Sequence, residues 1–234
     1  GVFDLLNWTR TAYIQPQTHP YDRYFFDPER GNYTVQRYLA DVNSRYGGID
    51  ALLIWPTYSN IGIDDRNQYD FFRTMPGGLA GVKAVTAELK AAGVRVLWPY
   101  NPWDTGTRRE TPDSDPQSLA RLLKATGGDG FNGDTMFSIP EAFWTAAAVQ
   151  RKYPIALEPE DGGSDQGLNW ATMGWGYWDF HTRIPIVDRF KWLTRGKFMT
   201  NACDRWAKNK TDHLHAAWFN GAGYGSWENV WGVW

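Results

Sequence analysis

Apolar positions along the chain follow two periods: short continuous runs that end in polar tips, and longer stretches that repeat every three to four residues. "IDALLIWP" (49–56) is a continuous apolar run stopped by Pro56, as expected of a strand buried on both faces. "VRVLWPYNPWD" (94–104), "GDGFNGDTMF" (128–137), "PIALEPE" (154–160) and "KFMTNACDRW" (197–206) read the same way. "GVFDLLNW" (1–8) and "HLHAAWFNGAGYGSWENVWG" (213–232) bring the predicted strands to seven. Between them, "TVQRYLADVNSRYGG" sets Val35, Tyr38, Leu39, Val42 and Tyr46 on one helical face and stops at Gly47-Gly48. "LAGVKAVTAELKAAG" does so with Leu79, Val82, Val85 and Leu89, ending at Gly93. "DPQSLARLLKATGG" has Pro116 near its first helical position and Asp115 as its cap. "SIPEAFWTAAAVQRKY" carries Ser138 and Glu141 at capping-box spacing, and a further helix is predicted near 183–194.

Strands alternating with helices predict a parallel α/β architecture. The units are short and polar residues gather at the strand tips, which favours a closed, TIM-barrel-like (β/α)8 fold over an open doubly wound sheet. No G-x-G-x-x-G follows the first strand, so the dinucleotide-binding signature is missing. The eighth unit is incomplete unless residues 1–30 close the barrel. Residues 1–234 are read as one barrel domain, either whole or a fragment of a longer chain.

Composition narrows the function classes. The net charge of -2 and pI near 6.1 give no attraction to nucleic acid or an anionic membrane, so neither is expected as a partner. The single cysteine, Cys203, excludes an internal disulfide framework; it is expected to be a buried residue facing away from Asp204. Three N-x-S/T sequons, at Asn7, Asn32 and Asn209, hint at a secreted or extracellular protein. The 14 Trp, 12 Tyr and 12 Phe exceed what a core of this size calls for, and flat or sugar-like ligands would use such rings as stacking platforms.

In a barrel the chemistry sits at the C-terminal ends of strands. Those tips carry Asn7-Trp8, Trp55, Trp98 with Asn101 and Trp103-Asp104, then Asn132 with Asp134, Glu158 with Glu160, Asn201 with Asp204-Arg205-Trp206, and Asn220 with Trp227-Glu228. Asp64-Asp65 add a carboxylate pair after the second strand. Carboxylates and amides bind hydroxyls, indoles stack on sugar rings, and two carboxylates can break an acetal. Each member also has a plain structural reading. Asp134 would cap the next helix, Glu158 would sit in an internal ion pair, Asp204 would pair with Arg205, and Asp64-Asp65 would be a solvated turn. Metal and nucleophile chemistry find little support: His213-x-His215 precedes a strand instead of ending the first, and no G-x-S-x-G or Walker sequence is present. No metal and no cofactor is called for.

At "NGDTM" and "NACDRW" the chain resembles the α-galactosidase-like superfamily of retaining barrel glycosidases. In that family the nucleophilic Asp ends strand four and the acid/base Asp ends strand six. The resemblance implies Asp134 as nucleophile and Asp204 as acid/base, with Asp64 and Asp65 as hydroxyl-binding residues. The family's Lys two residues before the nucleophile is replaced by Asn132. "YDRYFFDPERGNYTVQRYL", "LIWPTYSNIGIDDRNQYD" and "CDRWAKNKTD" also look like an uncharacterised barrel region of longer proteins, some with a sulfatase-modifying-factor-like domain.

These readings combine into a retaining glycoside hydrolase acting on an oligosaccharide or polysaccharide. Asp134 and Asp204 are its catalytic pair, and Trp8, Trp55, Asp64, Asp65, Trp98, Trp103, Asp104, Asn132, Glu158, Arg205, Trp206, Trp227 and Glu228 its substrate contacts. The alternatives are a non-catalytic glycan-binding or structural barrel, and a barrel hydrolase using Glu158 or Glu228.

Overall fold

The computed structural model describes residues 1–57, 64–104, 110, 112–160, 163–177, 180–204 and 209–226, without the side chains of 180–183 and 204. Among them, eight parallel strands form a (β/α)8 barrel: β1 (Gln17–Thr18), β2 (Ala51–Ile54), β3 (Arg95–Tyr100), β4 (Gly130–Gly133), β5 (Ala156–Pro159), β6 (Met173–Tyr177), β7 (Met199–Asp204) and β8 (Gly223–Ser226). β1 to β5 make one continuous ladder and β6 to β8 a second. Parallel bridges Glu160↔Trp175 and Ile14↔Tyr224 join the two arcs and close the ring. Closure removes both sheet edges, which an open sheet would leave unpaired.

The expected fold class is observed, with three corrections to the strands. Residues 1–8 are not a strand. They form a helical turn, Val2–Leu5, and the start of a 3₁₀ turn, Asn7–Thr11. The first strand lies instead in "IQPQTHP", where the carbonyls of Pro16 and Thr18 accept from Leu53 and Trp55 at 3.1 and 2.8 Å. The unpredicted strand is β6, "MGWGY", whose alternating glycines look by composition like a connection. Of the described part of 213–232, residues 213–226, Gly223–Ser226 is extended and "HLHAAWF" lies in a helix.

The described helices are α1 (Val35–Tyr46), α2 (Gln68–Thr74), α3 (Gly78–Ala91), α4 (Asp115–Thr126), α5 (Glu141–Trp144, continuing as a π-helical turn to Gln150), α6 (Phe180–Thr194) and α7 (Thr211–Phe219). α1 buries Val35, Tyr38 and Val42 and ends at Gly47 with φ 80°, a left-handed cap that suits glycine. Two predicted caps are replaced. α4 is capped by Ser114 with Gln117, and the Asp115 carboxylate accepts the Tyr100 hydroxyl at 3.0 Å. α5 starts after Pro140, while the Ser138 hydroxyl meets that of Ser164 at 2.9 Å.

Strand alternation separates two cores. Leu52, Ile54, Val96, Trp98, Phe131 and Leu157 face outward into the helices. Ala51, Leu53, Leu97, Ala156, Met173 and Met199 fill the N-terminal half of the lumen, with Leu6 from the opening turns packed among them. Further along the same strands the inward positions turn polar. That change of character places the site.

Candidate active site

Glu158 sits at the centre of the polar half. Its carboxylate accepts from Gln15 Nε2 at 2.8 Å and Asn201 Nδ2 at 3.1 Å on Oε1, and from Asn132 Nδ2 at 3.2 Å on Oε2. Glu158 belongs to β5, Asn132 to the adjacent β4, Asn201 to β7, and Gln15 lies two residues before the start of β1. β1 and β7 do not neighbour β5 in the ring, so two of these bonds cross the lumen. Glu158 is 0% exposed. Burial pushes its carboxyl up to about 7, and the three amide donors oppose that rise by favouring the ionised form. A carboxyl near 7 holds both protonation states at neutral pH, as a general acid or base requires.

The orientation of these amides follows from the same chemistry. An ionised carboxylate only accepts, so Asn132 and Asn201 turn their amino groups to it and their carbonyl oxygens away. Asn132 Oδ1, Asn201 Oδ1 and, one step along β1, Gln17 Oε1 are buried without a hydrogen-bond partner. Gly223 opposite Asn201 has a local reason: any Cβ there would collide with Asn201 Oδ1.

Nearer the strand ends, the buried Asp134 carboxylate accepts a short hydrogen bond from Asn101 Nδ2, and the Thr57 hydroxyl donates to Asn101 Oδ1 at 3.3 Å. Gln68 on α2 fixes this exit from β3. Its Nε2 donates to the carbonyls of Asn101 and Asp104 at 2.8 and 2.9 Å, and its Oε1 accepts the Asn101 N–H at 2.8 Å. The turn after Asp134 is strained: Thr135 has φ 58°, and its N–H donates to Glu160 Oε2 at 2.5 Å. Burial raises the Asp104 carboxyl above its usual range. His19, just past β1, is pushed down to about 4 by burial and accepts the Tyr21 N–H on Nδ1 at 3.2 Å.

The residues predicted from sequence separate into groups. Asn132, Asp134, Glu158 and the buried Trp55 lie on inward-facing positions of their strands. Trp8 lies at the other end of the barrel, where the Arg95 guanidinium at the start of β3 stands 5.4 Å from its ring. Trp98 faces outward, its ring centroid 4.9 Å from that of Phe72. Trp103 is half exposed beside the buried Asp104. Asp64 is exposed and paired with Arg66 at 2.8 Å, which holds its carboxyl low; Asp65, also exposed, follows it in the approach to α2. Asn220 ends α7, donating to the Ala216 carbonyl. Asp204 ends β7 in register with Ser226. Cys203 shares the inward parity of Met199 and Asn201 and is buried. Arg205, Trp206, Trp227 and Glu228 lie outside the described residues. Sequence reading missed Gln15, Gln17, His19 and Gln68. The first three alternate at period two in "QPQTH", a strand signal broken only by Pro16.

No family model and no curated protein sequence matches the chain. Solved structures do. Tryptophan synthase from M. tuberculosis, in its open form with BRD0059 bound, is 16% identical with a TM-score of 0.52, covering 97% of this chain and 86% of that one. Its aminoacrylate-bound form gives 15% and 0.53, covering 96% and 87%. A native KDPGal structure gives 10% and 0.51, covering 92% and 82%.

These findings overturn the glycosidase expectation, including the α-galactosidase-like resemblance, the retaining hydrolase, the oligosaccharide or polysaccharide substrate and the glycan-binding alternative. The neighbours are not α-galactosidase-like barrels. The strand count agrees. With "MGWGY" as β6, Asp204 ends the seventh strand, whereas the resemblance needs its acid/base on the sixth. The resemblance to an uncharacterised barrel region likewise finds no matching family. At this level of identity the likenesses establish one thing, and the closed ring of strands agrees with it: the chain is an α/β protein with the TIM-barrel fold.

Proposed function

We propose that this barrel is a small-molecule enzyme of the lyase type, with Glu158 as its general acid/base. The observation that carries the reading is Glu158 itself: fully buried at the centre of the lumen, held by three amides and pushed up to about 7. Charge burial of this kind is costly in a purely structural position, and enzymes arrange it where a proton must move at neutral pH. Tryptophan synthase is among the similar barrels, which favours a small-molecule substrate over a polymer. The reading rests on proton transfer by Glu158, the ionisable group that the lumen amides hold.

In the proposed cycle, the ionised carboxyl takes a proton from the substrate as a bond to the departing fragment breaks. The protonated carboxyl then returns that proton to a fragment, so Glu158 ends each turnover as it began. Asn132, Asn201 and Gln15 position the carboxyl and stabilise its ionised state.

The test is a panel of small β-hydroxy carbonyl compounds assayed for cleavage across pH with wild type and Glu158→Gln. The reading expects cleavage with a pH inflection near 7, lost in the variant by about two or more orders of magnitude. Cleavage that Glu158→Gln leaves untouched would remove Glu158 from the chemistry.

A further inference from the structure

The polar half of the lumen has an unusual chemical sign. Its inward side chains offer three bare amide carbonyls, alongside the buried indole N–H of Trp55. Gln17 Oε1, Asn132 Oδ1 and Asn201 Oδ1 are unpartnered on residues only 2%, 1% and 1% exposed. The orientation of Asn132 and Asn201 is fixed by the rest of the network. The amino groups of Asn132 and Asn201 are spent on Glu158, and Asn201 also donates to Gln15 Oε1 at 3.3 Å. Gln15 Nε2 is spent on Glu158 as well. Asp104 Oδ2 is a fourth buried acceptor without a partner, and Asp134 contributes a further buried carboxylate. Among the described residues the enclosed ammonium is that of Lys210, in the segment that leads into α7. An orphaned buried acceptor costs about 1–3 kcal/mol, so three amide carbonyls left bare together call for a ligand that donates.

We infer that the site binds a small organic cation carrying N–H donors, a primary ammonium or a guanidinium, seated against the carbonyl oxygens of Gln17, Asn132 and Asn201. The inference names the substrate class of the site proposed above and rests on that reading for its catalytic meaning. Against the carbonyl oxygens of Gln17, Asn132 and Asn201 an anionic group would lose its hydration without replacement. A cation with N–H groups satisfies the carbonyls one by one and is attracted by the neighbouring carboxylates. Tetraalkylammonium has the charge without the donors, potassium has the charge without direction, and a polyol has donors without the charge. The three together separate the contributions.

The experiment follows the side-chain amide resonances of Gln17, Asn132 and Asn201 in the full chain by NMR. The titrants are methylammonium, guanidinium, tetramethylammonium, potassium and glycerol at constant ionic strength. The inference expects saturable shifts with methylammonium or guanidinium alone. Gln17→Leu should weaken that binding about tenfold, the loss of one charge-assisted hydrogen bond. Gln17→Glu, which keeps the volume and adds an acceptor, should tighten it. No saturable shift would mean that water satisfies the carbonyls and would overturn the inference. So would equal shifts with tetramethylammonium, potassium or glycerol, or binding indifferent to both Gln17 variants. The two readings fail separately. Amine binding together with cleavage untouched by Glu158→Gln sustains the ligand class and sinks the acid–base role. A Glu158-dependent cleavage with no amine binding does the reverse.

Discussion

Asn132 and Glu158 are direct partners in the parallel register of β4 and β5, and Asn132 Nδ2 donates to Glu158 Oε2 at 3.2 Å. Neighbouring inward positions on adjacent strands therefore hold a carboxyl and its donor without help from any loop. Among the described residues, Asn132 is the donor on Oε2, while Oε1 has two. Asn132→Leu should consequently move the Glu158 titration further above 7, since the ionised form loses its support on one oxygen. Carboxyl NMR of the variant checks this; an unchanged titration would show that Asn132 does not bear on the charge.

The raised Glu158 carboxyl also predicts a pH dependence of stability. The native state keeps the proton up to about 7, whereas the unfolded chain releases it near 4.5. Stability from this group is thus fully present below 4.5 and is lost as pH rises through 7, by roughly 3 kcal/mol on the linkage relation. Glu158→Gln should remove that slope between 4.5 and 7, read from denaturant melts at several pH values. Parallel slopes for wild type and variant would contradict the account.

Strain at the turn after Asp134 gives a prediction of opposite sign. Thr135 holds φ 58° with a β-branched side chain, which glycine would hold without a Cβ penalty. Thr135→Gly keeps the N–H that Glu160 accepts and should stabilise the protein by about 0.5–1 kcal/mol. A loss of stability would mean that the threonine side chain makes a contact worth more than the strain.

Trp98 and Gly223 separate core from site. Trp98→Ala should cost about 3–5 kcal/mol, because its ring is fully buried against the outer helices, yet leave the Glu158 titration where it was. Gly223→Ala should cost about 1–3 kcal/mol and also raise the Glu158 titration, because the new methyl displaces Asn201 from the carboxyl. If the two variants affected the titration equally, the lumen network would not be the local device described.

The sequence showed much of the barrel but little of the site's logic. Continuous apolar runs such as "IDALLIWP" are legible because parallel strands are buried on both faces. β1 and β6 were hidden for opposite reasons. "IQPQTHP" is polar because its inward residues serve the lumen network, and "MGWGY" is glycine-rich. Missing β6 shifted the count and carried Asp204 onto the wrong strand for its assigned role. Trp98 was misplaced because a tip residue and an outward core residue differ by one step of alternation. Glu158 was visible as a carboxylate at a strand tip, but not as the centre of the site. Its importance comes from Gln15, Asn132 and Asn201, which only the closed ring brings to it.

The most direct test of the central claim is the titration of Glu158 in the folded protein. With 13C-labelled glutamate, its side-chain carboxyl resonance can be identified by its loss in Glu158→Gln and followed from pH 3 to pH 9. The account predicts a midpoint near 7. A midpoint in the ordinary range near 4.5 would mean that burial among the lumen amides does not raise this carboxyl, and Glu158 would have no claim to the proton-transfer role.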